Sequence, residues 1–74
     1  MVSHDPLLTV EQVAQRLGAS TDWVRDHSSR KHPLLPAIRI GGNTRAGLLR
    51  FRASAIEQFL EEQERLTQLR RKVQ

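Results

Sequence analysis

From Thr9 onward the apolar positions of the chain follow a helical period, and from Leu35 they follow a strand period. Val10, Val13, Ala14 and Leu17 stand at i, i+3, i+4 and i+7, which lines all four along one stripe of a helix. Thr9 and Gln12 have the spacing of a capping box at its start, and Gly18 stands where a left-handed residue ends it. Only Ala19 separates that stop from Ser20, a residue that caps a second helix predicted over Ser20–Ser29. Asp22 in its first turn complements the helix dipole, and Val24 is its one central apolar anchor. Pro33 and Pro36 prevent the helix from continuing. Two helices joined by a tight glycine-containing turn, the second of them polar, form a helix-turn-helix arrangement.

Leu35-Pro36-Ala37-Ile38-Arg39-Ile40 and Leu49-Arg50-Phe51-Arg52 alternate apolar and polar residues. The segment Gly41–Gly47, which holds Asn43, Thr44 and Arg45, reads as the turn of a hairpin between them. This pattern predicts Ile38 and Ile40 on the buried face with Leu49 and Phe51, and Arg39, Arg50 and Arg52 together on the open face. Two strands are not stable alone, so the hairpin must pack on the helices. Ser54 and Glu57 make a second capping box, opening a helix predicted to run to about residue 72. Ile56, Phe59 and Leu60 form its core-facing stripe, which thins to Leu66, Leu69 and Val73. The expected fold is a small α+β winged helix-turn-helix: helix, helix, β-hairpin wing and a longer C-terminal helix. Residues 1–6 are expected as a flexible tail, 7–62 as the domain and 63–74 as a helical extension.

Composition narrows the function. A chain of 74 residues supports one modest core, and without cysteine it has neither disulfides nor thiolate metal ligands. There is no signal-peptide pattern and no apolar run approaching a membrane span, so a cytoplasmic protein without a membrane partner is expected. His4, His27 and His32 are scattered and lack metal-ligand spacing, and Gly41-Gly42 lacks the lysine of a phosphate loop. No catalytic residue, metal or cofactor is therefore expected, and the protein reads as a non-enzyme.

Charge is unevenly spread. Residues 1–24 hold Asp5, Glu11 and Asp22 against Arg16, and residues 53–74 balance four glutamates with four basic residues. Residues 25–52 hold Arg25, Arg30, Lys31, Arg39, Arg45, Arg50 and Arg52 against Asp26 alone, so the net charge of +4 comes from the middle third. A basic patch in an otherwise balanced chain is the footprint of a polyanion binder. With Val24 turned inward, Asp22, Arg25, Asp26 and Ser29 fall on the outer face of the second helix, flanked by Thr21 and Ser28, while Trp23 and His27 share one side. Arg25 suits a guanine edge, and Ser20 and Thr21 suit a phosphate. Asp22 and Asp26 accept from a cytosine amino group, orient a neighbour, as Asp26 would orient Arg30, or stand as solvated helix charges, so Arg25, Thr21 and Ser29 rank above both acids as contacts. Trp23 reads as a packing plug, with contact to sugar-phosphate as the alternative. In the wing, Arg39, Asn43, Thr44, Arg45, Arg50 and Arg52 are the candidate contacts, with Arg45 at a minor groove or phosphate. If six of the basic residues met phosphates, affinity would fall about a thousandfold between roughly 50 and 200 mM salt.

The segments Leu8-Thr9-Val10-Glu11-Gln12-Val13-Ala14-Gln15-Arg16-Leu17-Gly18-Ala19-Ser20, Trp23-Val24, Leu35–Gly41, Arg50-Phe51-Arg52 and Ile56–Leu60, in that order, resemble the excisionase family of helix-turn-helix domains, compact relatives of the MerR-type winged helix. The resemblance implies a major-groove reading helix at Ser20–Ser29 and a wing from Arg39 to Arg52. It also implies an architectural role in site-specific recombination with an integrase or recombinase, or a small bacterial or phage transcriptional regulator. Two features depart from the family pattern: the Gly41–Gly47 turn is long, and Thr21-Asp22 stands where a basic pair is common. A module this small needs several copies on repeated sites for tight binding, so self-association through the wing or the C-terminal helix is expected. A protein-interaction module without DNA binding is the contrasting class. Single-stranded nucleic acid is disfavoured by one tryptophan and no tyrosine.

Overall fold

The computed structural model describes residues 5–41 and 48–73, in the order β1 (Leu7–Leu8), α1 (Val10–Leu17), α2 (Thr21–His27), β2 (Ala37–Ile40), β3 (Leu48–Arg52) and α3 (Ala53–Val73). The local signals around the two short helices act as their chemistry dictates. Thr9 Oγ1 accepts from the Gln12 amide at 3.1 Å while Gln12 Oε1 accepts from the Thr9 amide at 2.9 Å. Gly18 takes φ 67°, and the amide of Ala19 returns to the Ala14 carbonyl at 2.9 Å, so the chain leaves α1 sharply. Ser20 Oγ then caps α2 by accepting from the Trp23 amide at 3.0 Å. The winged helix-turn-helix architecture predicted from the pattern is the one observed, with one strand more than predicted.

That strand is β1. The sheet is antiparallel in the order β1-β3-β2, so β3 is central, with Leu7 opposite Arg52 and Leu8 opposite Phe51. A two-residue strand has no period to detect. Its partner lies more than forty positions away, and only the tertiary fold reveals it.

The register of the hairpin differs from the expected one. Ala37 stands opposite Phe51, Ile38 opposite Arg50, Arg39 opposite Leu49 and Ile40 opposite Leu48. Directly opposed residues share a face, so Ala37, Arg39, Leu49 and Phe51 line one side and Ile38, Ile40, Leu48 and Arg50 the other. Arg39 therefore does not share a face with Arg50 and Arg52, and Ile38 and Ile40 do not share one with Phe51. The physical reason is the size of Phe51. Its ring is fully buried among Val13, Val24 and Ile56, and the small Ala37 across from it leaves the room it needs. Leu35 and Ala37, two apart, supply the inward positions of this segment. Ile40 and Leu48 are left 41 % and 52 % exposed on the outer face.

All three helices contribute to the side that Phe51 faces: Val10, Val13 and Ala14 from α1, Val24 from α2 and Ile56 from α3. Leu60, expected in the core stripe of α3, is exposed, and Phe59 is half-buried against the core. The loop after α2 folds back on that helix. Leu35 donates its amide to the His27 carbonyl at 2.7 Å, and His27 Nδ1 meets the Pro33 carbonyl at 3.0 Å.

The start of α3 is set from outside its own sequence. Ser54 does not cap it; the helix begins at Ala53, and Asp5 accepts from the Ser54 amide at 2.9 Å and from Ser54 Oγ at 2.8 Å. The Pro6 carbonyl accepts from Ala53 at 3.0 Å, and Arg52 lies 3.6 Å from the Asp5 carboxylate. Asp5 and Pro6, expected in a flexible tail, thus pin the helix start; residues 1–4 of that expected tail lie outside the described residues. The Ser54 amide foremost, then its hydroxyl and the charge of Arg52, hold the Asp5 carboxyl below its ordinary pKa of 3.8.

Two outcomes follow from this packing. Phe51→Ala should cost about 3–5 kcal/mol, against a total of roughly 4–11 kcal/mol for a chain of 74 residues. A thermal melt should then move down by about 12 °C or more; a shift of only a few degrees would show that the core does not depend on this ring. Because folding lowers the Asp5 pKa, its contribution is complete above the ordinary carboxylate value and is lost as pH falls through and below it. Asp5→Asn should lower Tm at pH 7, with the gap to the parent protein closing towards pH 3. A gap that persists unchanged at low pH would remove the charge of Asp5 from the account.

Candidate nucleic-acid interface

The second helix of the pair shows its outer face as the sequence predicts, over a shorter span: α2 is Thr21–His27, with Ser20 and Ser28 as caps. Val24 is fully buried, which turns Asp22 and Arg25 to solvent and leaves Asp26 half-buried. Ser29 is exposed just past the helix end, and Thr21 is half-buried. Ser20 spends an acceptor lone pair on the cap, while its hydroxyl hydrogen remains a donor. Ser28 donates its hydroxyl to the Val24 carbonyl, so its polarity is used inside the helix.

Asp26 takes the role of orienting a neighbour. Its carboxylate lies 3.3 Å from Arg30 and 3.5 Å from Lys31, and its carbonyl accepts the amides of both residues at 3.1 Å. The hydrogen bond from Arg30, helped by the charges of Lys31 and Arg30, outweighs partial desolvation and lowers the Asp26 pKa from its ordinary value. One acid thus gathers two cations at the end of α2 and leaves a net positive charge there. Lys31 was not among the predicted contacts; the run Arg30-Lys31 beside Asp26 is the signal that would have included it.

Arg25 is held more loosely. Its guanidinium is 3.9 Å from Glu11 on α1, with its side chain 55 % exposed. At that distance and exposure the pair orients the side chain without binding it firmly. No sequence period links Glu11 to Arg25, since the contact crosses between two helices.

Trp23 and His27 stack with ring centroids 3.9 Å apart and planes 19° from parallel. Trp23 also packs against the core, and His27 is the buried polar residue of the helix. Both therefore serve packing, and the imidazole fills a place that the sequence reading gave to Val24 alone.

The wing arginines separate. Arg39 is exposed at the far end of β2, on the sheet face that the helices pack against. Arg50 and Arg52 lie on the opposite face; Arg50 donates to the Leu49 carbonyl at 2.9 Å, and Arg52 is drawn to Asp5. Asn43, Thr44 and Arg45 lie outside the described residues.

Among the described residues no helix is long and apolar enough to cross a membrane. No curated protein and no solved structure matches the chain. One family model does, described as "Helix-turn-helix domain", over residues 7–64. That span runs from the first residue of β1 through α1, the Gly18 turn and α2, across the hairpin and into α3. With the capped helix pair, the buried Val24 and the polar outer face of α2 in place, the chain belongs to the helix-turn-helix domain family, whose partner is DNA.

Proposed function

We propose that the protein is a sequence-specific binder of double-stranded DNA of the excisionase kind, an architectural factor that positions an integrase or recombinase and has no chemistry of its own. It acts on DNA in the cytoplasm of a bacterial host. The observation that carries this reading is the second helix of the pair, which presents Asp22 and Arg25 opposite a fully buried Val24, with Ser29 exposed just past its end. Short polar groups around one arginine permit close approach to base edges in a major groove, and the arginine can bond two acceptors of a guanine. The excisionase assignment draws its support from the ordered segments along residues 7–60.

The helix is a weak source of affinity. Asp22 repels phosphate, and Arg25 is shared with Glu11. Most of the attraction then comes from cations around the helix: Arg30 and Lys31 at its end and Arg39 on the helix side of the sheet. Arg50 and Arg52 face away from the helices, so in this reading they contribute less than Arg39. With so few contacts per copy, several copies act together on repeated sites.

Selection of bound sequences from random duplexes, followed by a bending assay, tests the proposal. Recovery of a defined, bent site supports an architectural factor. A defined but unbent site within a promoter favours a transcriptional regulator, and no enrichment rejects sequence-specific binding. Within a selected site, Arg25→Ala should lose about 1–3 kcal/mol of discrimination at one base pair. An equal loss on every sequence would show that Arg25 grips only phosphate. Arg39→Ala should lower the slope of log affinity against log salt by about one, whereas Arg52→Ala should leave that slope nearly unchanged. The reverse ranking would mean that the outer sheet face meets the DNA.

A further inference from the structure

Helix α3 is longer than the fold requires. The domain uses Ala53, Ile56 and Phe59, whereas every residue from Glu64 to Arg71 is exposed. At 1.5 Å per residue, the stretch from Glu64 to Val73 projects about 15 Å. An isolated helix of that length is marginal in water. The family match ends at residue 64, so the projection belongs to this chain rather than to the shared domain.

Three features of this projection fit together. Phe59, Leu66 and position 73 recur at a seven-residue interval on one stripe, with Gln63 and Leu69 flanking it; Leu66 is 38 % and Leu69 47 % exposed. Charge is segregated along the helix. Glu57, Glu61, Glu62 and Glu64 occupy the first part, and Arg65, Arg70, Arg71 and Lys72 the second. The stripe also opens at its start into a groove of about 360 Å³ between α3 and the loop after α2, lined by Pro33, Leu34, Pro36, Ala55 and Phe59. Leu34 at its rim is 48 % exposed.

We infer that α3 pairs antiparallel with the α3 of a second copy of this chain, with Leu66 at the two-fold axis. This register sets Leu66 against Leu66 and Gln63 against Leu69. Glu62 then faces the Arg70 of the other copy, twice by symmetry. Phe59 comes opposite position 73, so the last turn of each helix lies at the groove of its partner. Glu62 already binds Arg65 at 2.7 and 3.1 Å, and a carboxylate with two oxygens has lone pairs left for a second guanidinium. A parallel pair would set Glu62 beside Glu62 and Arg70 beside Arg70, and like charges oppose it. Acids early and bases late also complement the dipole of a single helix, but that explanation leaves the exposed leucines and the groove unaccounted for.

The pairing gives a definite form to the joint action of several copies on DNA and is separable from it, because it is measured without DNA. Sedimentation equilibrium of the full chain at low salt should show a monomer–dimer system with Kd on the order of 100 μM, as suits a short interface. Leu66→Glu and Arg70→Glu should each weaken the dimer about tenfold or more while leaving the helical circular dichroism of the monomer intact. The swap Glu62→Arg with Arg70→Glu in one chain should restore dimerisation to within about threefold, since it rebuilds the pair only in the antiparallel register. Residues 62 and 70 are too far apart for the swap to act within one helix. A parent chain that stays monomeric to about 1 mM overturns the proposal. So does a Leu66→Glu variant that dimerises normally, or a swap that fails to recover the dimer. If Leu66→Glu abolishes dimerisation yet binds a single short DNA site as the parent chain does, the pairing and the DNA contact are shown to be separate properties.

Discussion

The burial of Phe51 is the constraint on which the other elements depend. It sits on the central strand, so the residue that fixes the register of β2 also fixes that of β1. On the helix side it joins a core cluster with residues from α1, α2 and α3. A domain of this size has no second core to fall back on. The two short helices, the sheet and the first turns of α3 all contribute to the cluster that this ring belongs to. The helix-turn-helix geometry is thus a consequence of the sheet as much as of the turn.

How much of this was legible in the sequence depended on the range of the interaction. The capping box at Thr9 and Gln12, the left-handed Gly18 and the cap at Ser20 act over three or four residues, and each appears where the pattern put it. The hairpin register departs from the apolar pattern because Ile38 and Ile40 offer a stronger apolar alternation than Leu35 and Ala37. Volume decided otherwise, since a large ring packs best across from a small side chain. The bond from Asp5 to Ser54 spans most of the chain and leaves no periodic trace, and β1 was too short to leave one. The outer face of α2 and the tie from Asp26 to Arg30, one helical turn apart, are readable from helical geometry alone, whereas the ties from Asp26 to Lys31 and from Glu11 to Arg25 need coordinates to resolve.

The candidate interface is a compromise between reading and holding. Placing two acids on the exposed face of α2 lowers its general attraction for phosphate. That term is common to every duplex and cancels from the difference between two sites, so in the proposed reading any choice among sites rests on the groups α2 presents to base edges. Asp26 limits the cost by drawing Arg30 and Lys31 to the helix end, where they neutralise it and leave positive charge over. The stack of Trp23 on His27 adds packing along one side of this short helix, an element of seven residues.

The pinned start of α3 has a mechanical consequence. The helix is fixed near one end, by Asp5 at Ser54 and by a 3.5 Å pair between Arg16 and Glu57, and among the described residues its stretch from Glu64 to Arg71 is exposed. It is a cantilever about 32 Å long, and a rotation of about 10° at its root displaces its tip by roughly 5 Å. Anything attached at the tip therefore inherits, amplified, whatever precision the first residues of the domain impose at the root. The small contacts made by Asp5 and Pro6 set the tolerance with which two such domains could be spaced.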